Sequence, residues 1–177
     1  AGATKGWTCY TQNNIFGHSD YAENYVIANV WYTSHLWQHY LFTLDRQFLK
    51  EKAFPTMLST TEFWLERLVK DSDGTWVAPD EWSPEHGPGR ENGTAHAQQL
   101  ISDLFASTLE AIDILGKDAG VTQEFIATLK DKYAHLDRGL AIETYNGQWR
   151  EQLIPAGTPR LREWKTSPFT VGQNEHR

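Results

Sequence analysis

A chain of 177 residues, 40% of them hydrophobic, is long enough for one domain with a sizeable core and too apolar to remain disordered. Its 23 acidic against 16 basic residues leave a net charge of −7 with no Lys/Arg run, which argues against nucleic acid or an anionic membrane and for a neutral or small ligand. No apolar run approaches the length of a membrane span, and the single cysteine, Cys9, excludes an internal disulfide and a thiolate metal cage.

Residues 1–19 are polar and aromatic with three glycines and no clean period, which predicts irregular structure that supplies side chains. From Asp20 or Tyr21 to about Thr43 there is no Gly or Pro, and Ala28, Tyr32, His35, Leu36 and His39 recur at helical spacing, predicting one long aromatic-rich helix. A short helical turn over 45–52 precedes Phe54 and Pro55, which open a further helix with proline at its first position; Phe54, Leu58, Leu65 and Leu68 mark its buried stripe. The D-S-D-G turn at 71–74 stops that helix, and residues 75–78 read as briefly extended.

Next comes the string P-D-E-W-S-P-E-H-G-P-G-R-E-N, residues 79–92, with Glu85 in a Pro/Gly/aromatic loop between two helical stretches. Pro84 fixes its own φ and pushes Ser83 toward extended conformations, and Pro88 does the same to Gly87. With Trp82 and His86 beside it, a partly desolvated Glu85 would keep its proton near neutral pH, as a glycosidase general acid must. A loop-capping or salt-bridging Glu85 fits the same spacing.

Helix resumes over 94–115, with Leu100, Ile101, Leu104, Phe105, Ala111, Ile112 and Leu115 on one side and Gly116 as the stop. Thr122 caps another helix through Leu136, and beyond Gly139 residues 141–150 and 161–164 read as short strands or loop. The fold class is therefore all-α, built from pairs of antiparallel helices joined by functional loops.

Eight tryptophans and seven tyrosines exceed what a core needs, and flat rings with a polar tip suit sugar faces. Trp31, Trp37, Trp64 and Trp82 are candidates for stacking, Trp82 foremost by its loop position, although aromatics at helical spacing more often fill cores. His35 and His39, at i and i+4, have a spacing that two metal-bound imidazoles share, but no zinc-peptidase Glu lies between them and no third ligand is suggested. They read as hydrogen-bonded helix-face histidines, and neither a metal nor a cofactor is expected. Asn92-Gly93-Thr94 fits a glycosylation acceptor and equally an ordinary loop and cap.

The strings G-W-T-C-Y-T-Q-N-N-I-F-G from Gly6, N-V-W-Y-T-S-H-L-W-Q-H-Y-L-F-T from Asn29, W-S-P-E-H-G-P around Glu85, Q-Q-L-I-S-D-L-F from Gln98 and the terminal E-H-R together resemble the catalytic region of glycoside hydrolase family 95. The resemblance covers essentially the whole chain. It implies part of a toroid of six helical hairpins, (α/α)6, in an inverting exo-glycosidase, chiefly an α-L-fucosidase, acting on fucosylated oligosaccharides or glycans and secreted or periplasmic. By the same resemblance Glu85 matches the general acid of an S-P-E motif, and Arg177 matches the arginine of an H-R-H motif that helps to hold the sugar. Trp82, His86 and Trp31 complete the expected sugar contacts.

Departures from the family pattern shape the expectation further. The N-x-N motif whose asparagines, with a downstream aspartate, activate water lies upstream of Gly6 in the family and has no match here; the H-R-H motif stops after its arginine; and Ala97 stands where relatives often carry an acid. The chain, beginning at Ala1 without an initiator Met or signal peptide, reads as a slice of a longer catalytic domain that supplies the acid but not the base. Little or no turnover is expected of it alone, and its uncovered apolar helix faces would favour dimerisation. An α-L-galactosidase or another toroid enzyme, such as a phosphorylase-like relative, and a non-catalytic sugar-binding or scaffold bundle, are the alternatives.

Overall fold

The computed structural model of the chain describes residues 2–10, 25–83, 89–146 and 154–167. Helix α1 spans Ala28–Thr43, with Val26 and Ile27 before it forming a turn; residues 20–24 of the expected helix lie outside the described residues. Leu44, in a left-handed conformation with φ 54°, ends it by returning its N–H to the Tyr40 carbonyl.

The next two expected helices are continuous. Helix α2 (Arg46–Phe48), capped by Asp45, passes through a π turn at Leu49–Ala53 straight into α3 (Phe54–Arg67). Pro55 offers no N–H to the preceding turn and its ring crowds that turn's carbonyl; the wider π turn, in which Phe54 N–H reaches back to Leu49 O, absorbs both defects without a break. The buried face of α3 is also rotated from the expected stripe. Met57, Thr60, Thr61 and Trp64 lie deepest, while Leu58 and Leu65 are only partly covered.

Two short antiparallel hairpins follow, β1 (Val69–Lys70) with β2 (Trp76–Val77), and β3 (Glu81–Trp82) with β4 (Arg90–Glu91). Helix α4 (Ala95–Leu115) then runs to Gly116, which at φ 57° turns the chain into the 3-10 turn Gly116–Ala119. Helix α5 (Gln123–Ala134) is capped as its sequence suggests, Thr122 Oγ1 accepting from Phe125 N–H at 3.1 Å. A third hairpin, β5 (Ile142–Thr144) with β6 (Pro159–Leu161), completes the described elements. These two- and three-residue strands brace loops, so the fold is mostly helical, as expected, with hairpins that periodicity does not announce.

The core lies where α1, α3 and α4 meet, around Val30, Met57, Trp64, Ile101 and Phe105, with Leu129 joining from α5. Threonine pairs cross it: Thr33 to Thr60 and Thr61 to Thr108, each at 2.9 Å, satisfying hydroxyls that would otherwise be costly to bury. Asn29 draws three elements together, donating to Trp7 O at 2.8 Å and accepting from Trp64 Nε1 at 3.0 Å. Trp31 meets His96 near the starts of α1 and α4, and Arg46, just past α1, donates to Leu115 O at the end of α4. These two helices therefore run in the same direction, and α3 runs back between them.

Candidate active site

The hairpin β3–β4 carries the acidic loop, pairing Glu81 with Glu91 and Trp82 with Arg90. Its base is set by polar ties: Asp80, at φ 54°, donates its N–H to Asn92 Oδ1 at 2.9 Å and accepts from Arg90 Nη1 at 3.1 Å. Alternation along β3 puts Glu81 and Ser83 on one side of the strand and Trp82 on the other.

Glu81 is 1% exposed and receives Arg67 Nη2 at 3.1 Å; the same nitrogen donates to Pro79 O at 2.8 Å. Burial pushes the Glu81 carboxyl up to about 7, with the Arg67 charge and hydrogen bond pulling the other way. Nearby, Tyr25 Oη and His96 Nε2 lie 2.7 Å apart, the donor being set by the histidine tautomer. Burial, with the Glu81 charge as a smaller cause, raises the Tyr25 hydroxyl far above its usual range, while burial lowers His96, so both are neutral at neutral pH.

Around this pair the rings form one wall. Trp82 meets Tyr25 edge-on at 6.3 Å, the Tyr25 and His96 rings lie parallel within 5° at 6.2 Å, and Trp31 tilts against His96 at 5.9 Å. Trp31 is 49% exposed, and the space beside it is shared by His96, Gln99 and Asp103. A half-exposed indole beside amide, carboxylate and imidazole groups has the chemistry to pack on a sugar's apolar face while bonding its hydroxyls.

Of the residues singled out from sequence, Trp31 and Trp82 are brought to opposite ends of this wall. Glu85, His86 and Arg177 lie outside the described residues. Trp64 is no sugar platform: it is wholly buried, with its indole N–H on Asn29. Trp37 packs against Tyr40 at 5.3 Å, and His39 leans on Phe48 at 4.2 Å. Sequence reasoning missed Tyr25, Arg67, Glu81 and His96. The alternation of Glu81, Trp82 and Ser83 hinted that Glu81 faces away from Trp82; nothing local linked it to Arg67, 14 positions earlier.

The described residues form a mostly helical domain in which the starts of two parallel helices and a short hairpin carry one aromatic wall. The particular family is settled by comparison: the chain matches the glycosyl hydrolase family 95 catalytic domain over residues 1–177 and belongs to that family. It is 32% identical to "Probable alpha-fucosidase A" of Aspergillus niger over 99% of this chain and 21% of that protein. It is 30% identical to alpha-L-fucosidase 2 of Arabidopsis thaliana over 63% of this chain and 15% of that protein. A kojibiose hydrolase of Flavobacterium johnsoniae is 42% identical across 43% of this chain and 12% of its own length. The chain thus spans about a fifth, or less, of the length of these curated relatives.

Proposed function

We propose that this chain is part of an inverting exo-glycosidase that removes terminal α-L-fucosyl residues from glycans, with Glu85 as the general acid. The observation that carries the reading is the whole-length family match together with the alpha-fucosidase name of the relative aligned over 99% of the chain. Glu85 would hand its proton to the glycosidic oxygen as the bond to the anomeric carbon breaks, while a base-activated water attacks that carbon from the opposite face. Inversion needs the two carboxyl groups about 6.5–9.5 Å apart, leaving room for that water. The family resemblance puts the water-activating asparagines upstream of Gly6, so the acid and the sugar-facing aromatics would come from this stretch and the base from elsewhere in a closed (α/α)6 toroid. Trp31 and Trp82, with His86 and Arg177, would hold the sugar, and a secreted or periplasmic location would suit a glycan substrate.

The test is release of the aglycone from an aryl α-L-fucoside by this stretch alone and by a longer form extended at both ends, each with and without Glu85→Gln. Turnover only by the longer form, lost on substitution, is expected. Turnover by the short chain would mean that these residues hold a base. The similarity to a kojibiose hydrolase favours one second reading, the same helical chemistry on another sugar. A longer form that cleaves a glucoside and ignores the fucoside would establish it.

A further inference from the structure

Tyr25 and His96 share one hydrogen bond, 2.7 Å between Oη and Nε2, and the surroundings of the two groups decide its direction. Burial raises the phenol far above its usual range and lowers the imidazole, so a neutral hydroxyl meets a neutral ring. If Nε2 carried the ring proton, the desolvated Tyr25 O–H would be left with no acceptor among the described residues, which is costly. With Tyr25 as donor both groups are satisfied, Nε2 is the bare nitrogen and the imidazole proton stands on Nδ1. The two ring planes, parallel within 5°, suit a bond made in the plane of the imidazole.

That Nδ1–H has no acceptor among the described residues, and His96 lines a cavity of about 240 Å³ together with Trp31, Gln99, Leu100 and Asp103. Gln99 and Asp103 follow His96 on the same side of α4, one and two turns further along. Gln99 commits its Nε2 to Gly139 O at 3.0 Å, which leaves its carbonyl oxygen to accept, and an ionised Asp103 only accepts. Along α4 the cavity therefore meets a donor and then acceptors, beside the indole of Trp31. Sugar hydroxyls both donate and accept, so neighbouring hydroxyls of one ring match that order.

We propose that His96 is a sugar-binding residue that donates its Nδ1–H to one hydroxyl of the sugar packed on Trp31, and that Tyr25 is a positioning residue that fixes the tautomer and plane of the imidazole for that contact. The proposal rests on the reading of the Trp31 face as the sugar site and draws on no residue of the acidic loop. Hydrogen bonds in series polarise one another, so a Tyr25 O–H on Nε2 makes Nδ1–H a better donor. Tyr25 is itself held edge-on by Trp82 at 6.3 Å. A site built to bond a hydroxyl rejects the analogue that lacks it, because its own polar group is then left unpaired.

The experiment is calorimetric titration of the full-length protein with L-fucose and with the L-fucoses that each lack one ring hydroxyl, which reads binding without turnover. His96→Ala is expected to weaken L-fucose binding about tenfold. For one of the deoxy sugars the unsubstituted protein should show a similar loss, and there His96→Ala should cost nothing further. Tyr25→Phe should weaken L-fucose about threefold, with the same deoxy sugar indifferent to it, and supplies the readout if His96→Ala does not fold. His96→Asn, whose amide N–H stands near the Nδ1 position, should recover most of the affinity. Equal losses on every sugar would overturn the assignment, since a merely structural effect does not single out one hydroxyl. L-Fucose bound normally by both variants sinks the His96 contact alone; no L-fucose bound by the unsubstituted protein sinks the fucosyl reading of the site and the contact with it.

Discussion

At the scale of single residues, Glu81 presents a sharp physical conflict, a carboxyl taken almost wholly out of water against the Arg67 guanidinium. Its folded pKa, raised from 4.5 to about 7, makes the folded state the better proton binder. The stability it contributes is therefore fully present below pH 4.5 and lost as pH rises through about 7, at a slope of about 1.4 kcal/mol per pH unit. Denaturant melts between pH 4.5 and 7 should show the unsubstituted protein losing a few kcal/mol more than Glu81→Gln. Parallel curves would show that Arg67 keeps Glu81 ionised throughout. Trp31 is the matching test of recognition. In the full-length protein Trp31→Ala is expected to raise KM for the fucoside about tenfold with kcat largely kept, the signature of an interaction equal in ground and transition states. Unaltered KM would remove Trp31 from the sugar site.

At the scale of elements, Gly139 shows how a loop sets a helix start. A side chain there would place its Cβ 2.7 Å from Ala95 Cα and 2.9 Å from Ala95 O, at a φ of +63° that already disfavours any L residue. Gly139→Ala is expected to cost about 3 kcal/mol by denaturant unfolding, since the first turn of α4 must shift, whereas Gly74→Ala, with nothing within 4 Å of its Cβ, should cost about 1 kcal/mol for backbone strain alone. Equal costs would mean that α4 yields freely at its start. Elements were legible where their signals are local. Gly116 ends α4, Thr122 caps α5 through its own hydroxyl, and D-S-D-G makes the turn between β1 and β2. Pro55 stands in the first turn of α3, as its sequence suggests; what the sequence did not announce is the π turn that joins α2 to α3, which is packed into the core through the fully buried Leu49 and Ala53. Strand β2 falls in the stretch read as briefly extended and β5 in the stretch read as short strand or loop, whereas β1, β3 and β4, of two residues each, are too short to show a period.

At the scale of the whole molecule, the chain leaves apolar side chains uncovered along α1 and just beyond it. Phe42 is 91% exposed and Leu44 70%, with Tyr32 and Leu41 also open. In relatives of which this chain covers about a fifth, further polypeptide is at hand to cover such a face; alone, a second copy is the available cover. Light scattering over a concentration series should show the mean mass of the isolated chain rising, and Phe42→Ser should reduce the rise. A constant monomer mass would count against association through this face.

What the sequence determined by itself is the helical class, the ends of α4, the capped start of α5, and the family, because periodicity, caps and motif strings depend on residues a few positions apart. Only the tertiary structure decided which tryptophan is core and which is open, Trp64 against Trp31, and that Glu81 is buried against Arg67. It alone brought Glu163 to Ser83, 80 positions away, and Thr166 to Glu91, 75 positions away. Burial and long-range hydrogen bonding are properties of how helices pack on one another, and no window of neighbouring residues contains them.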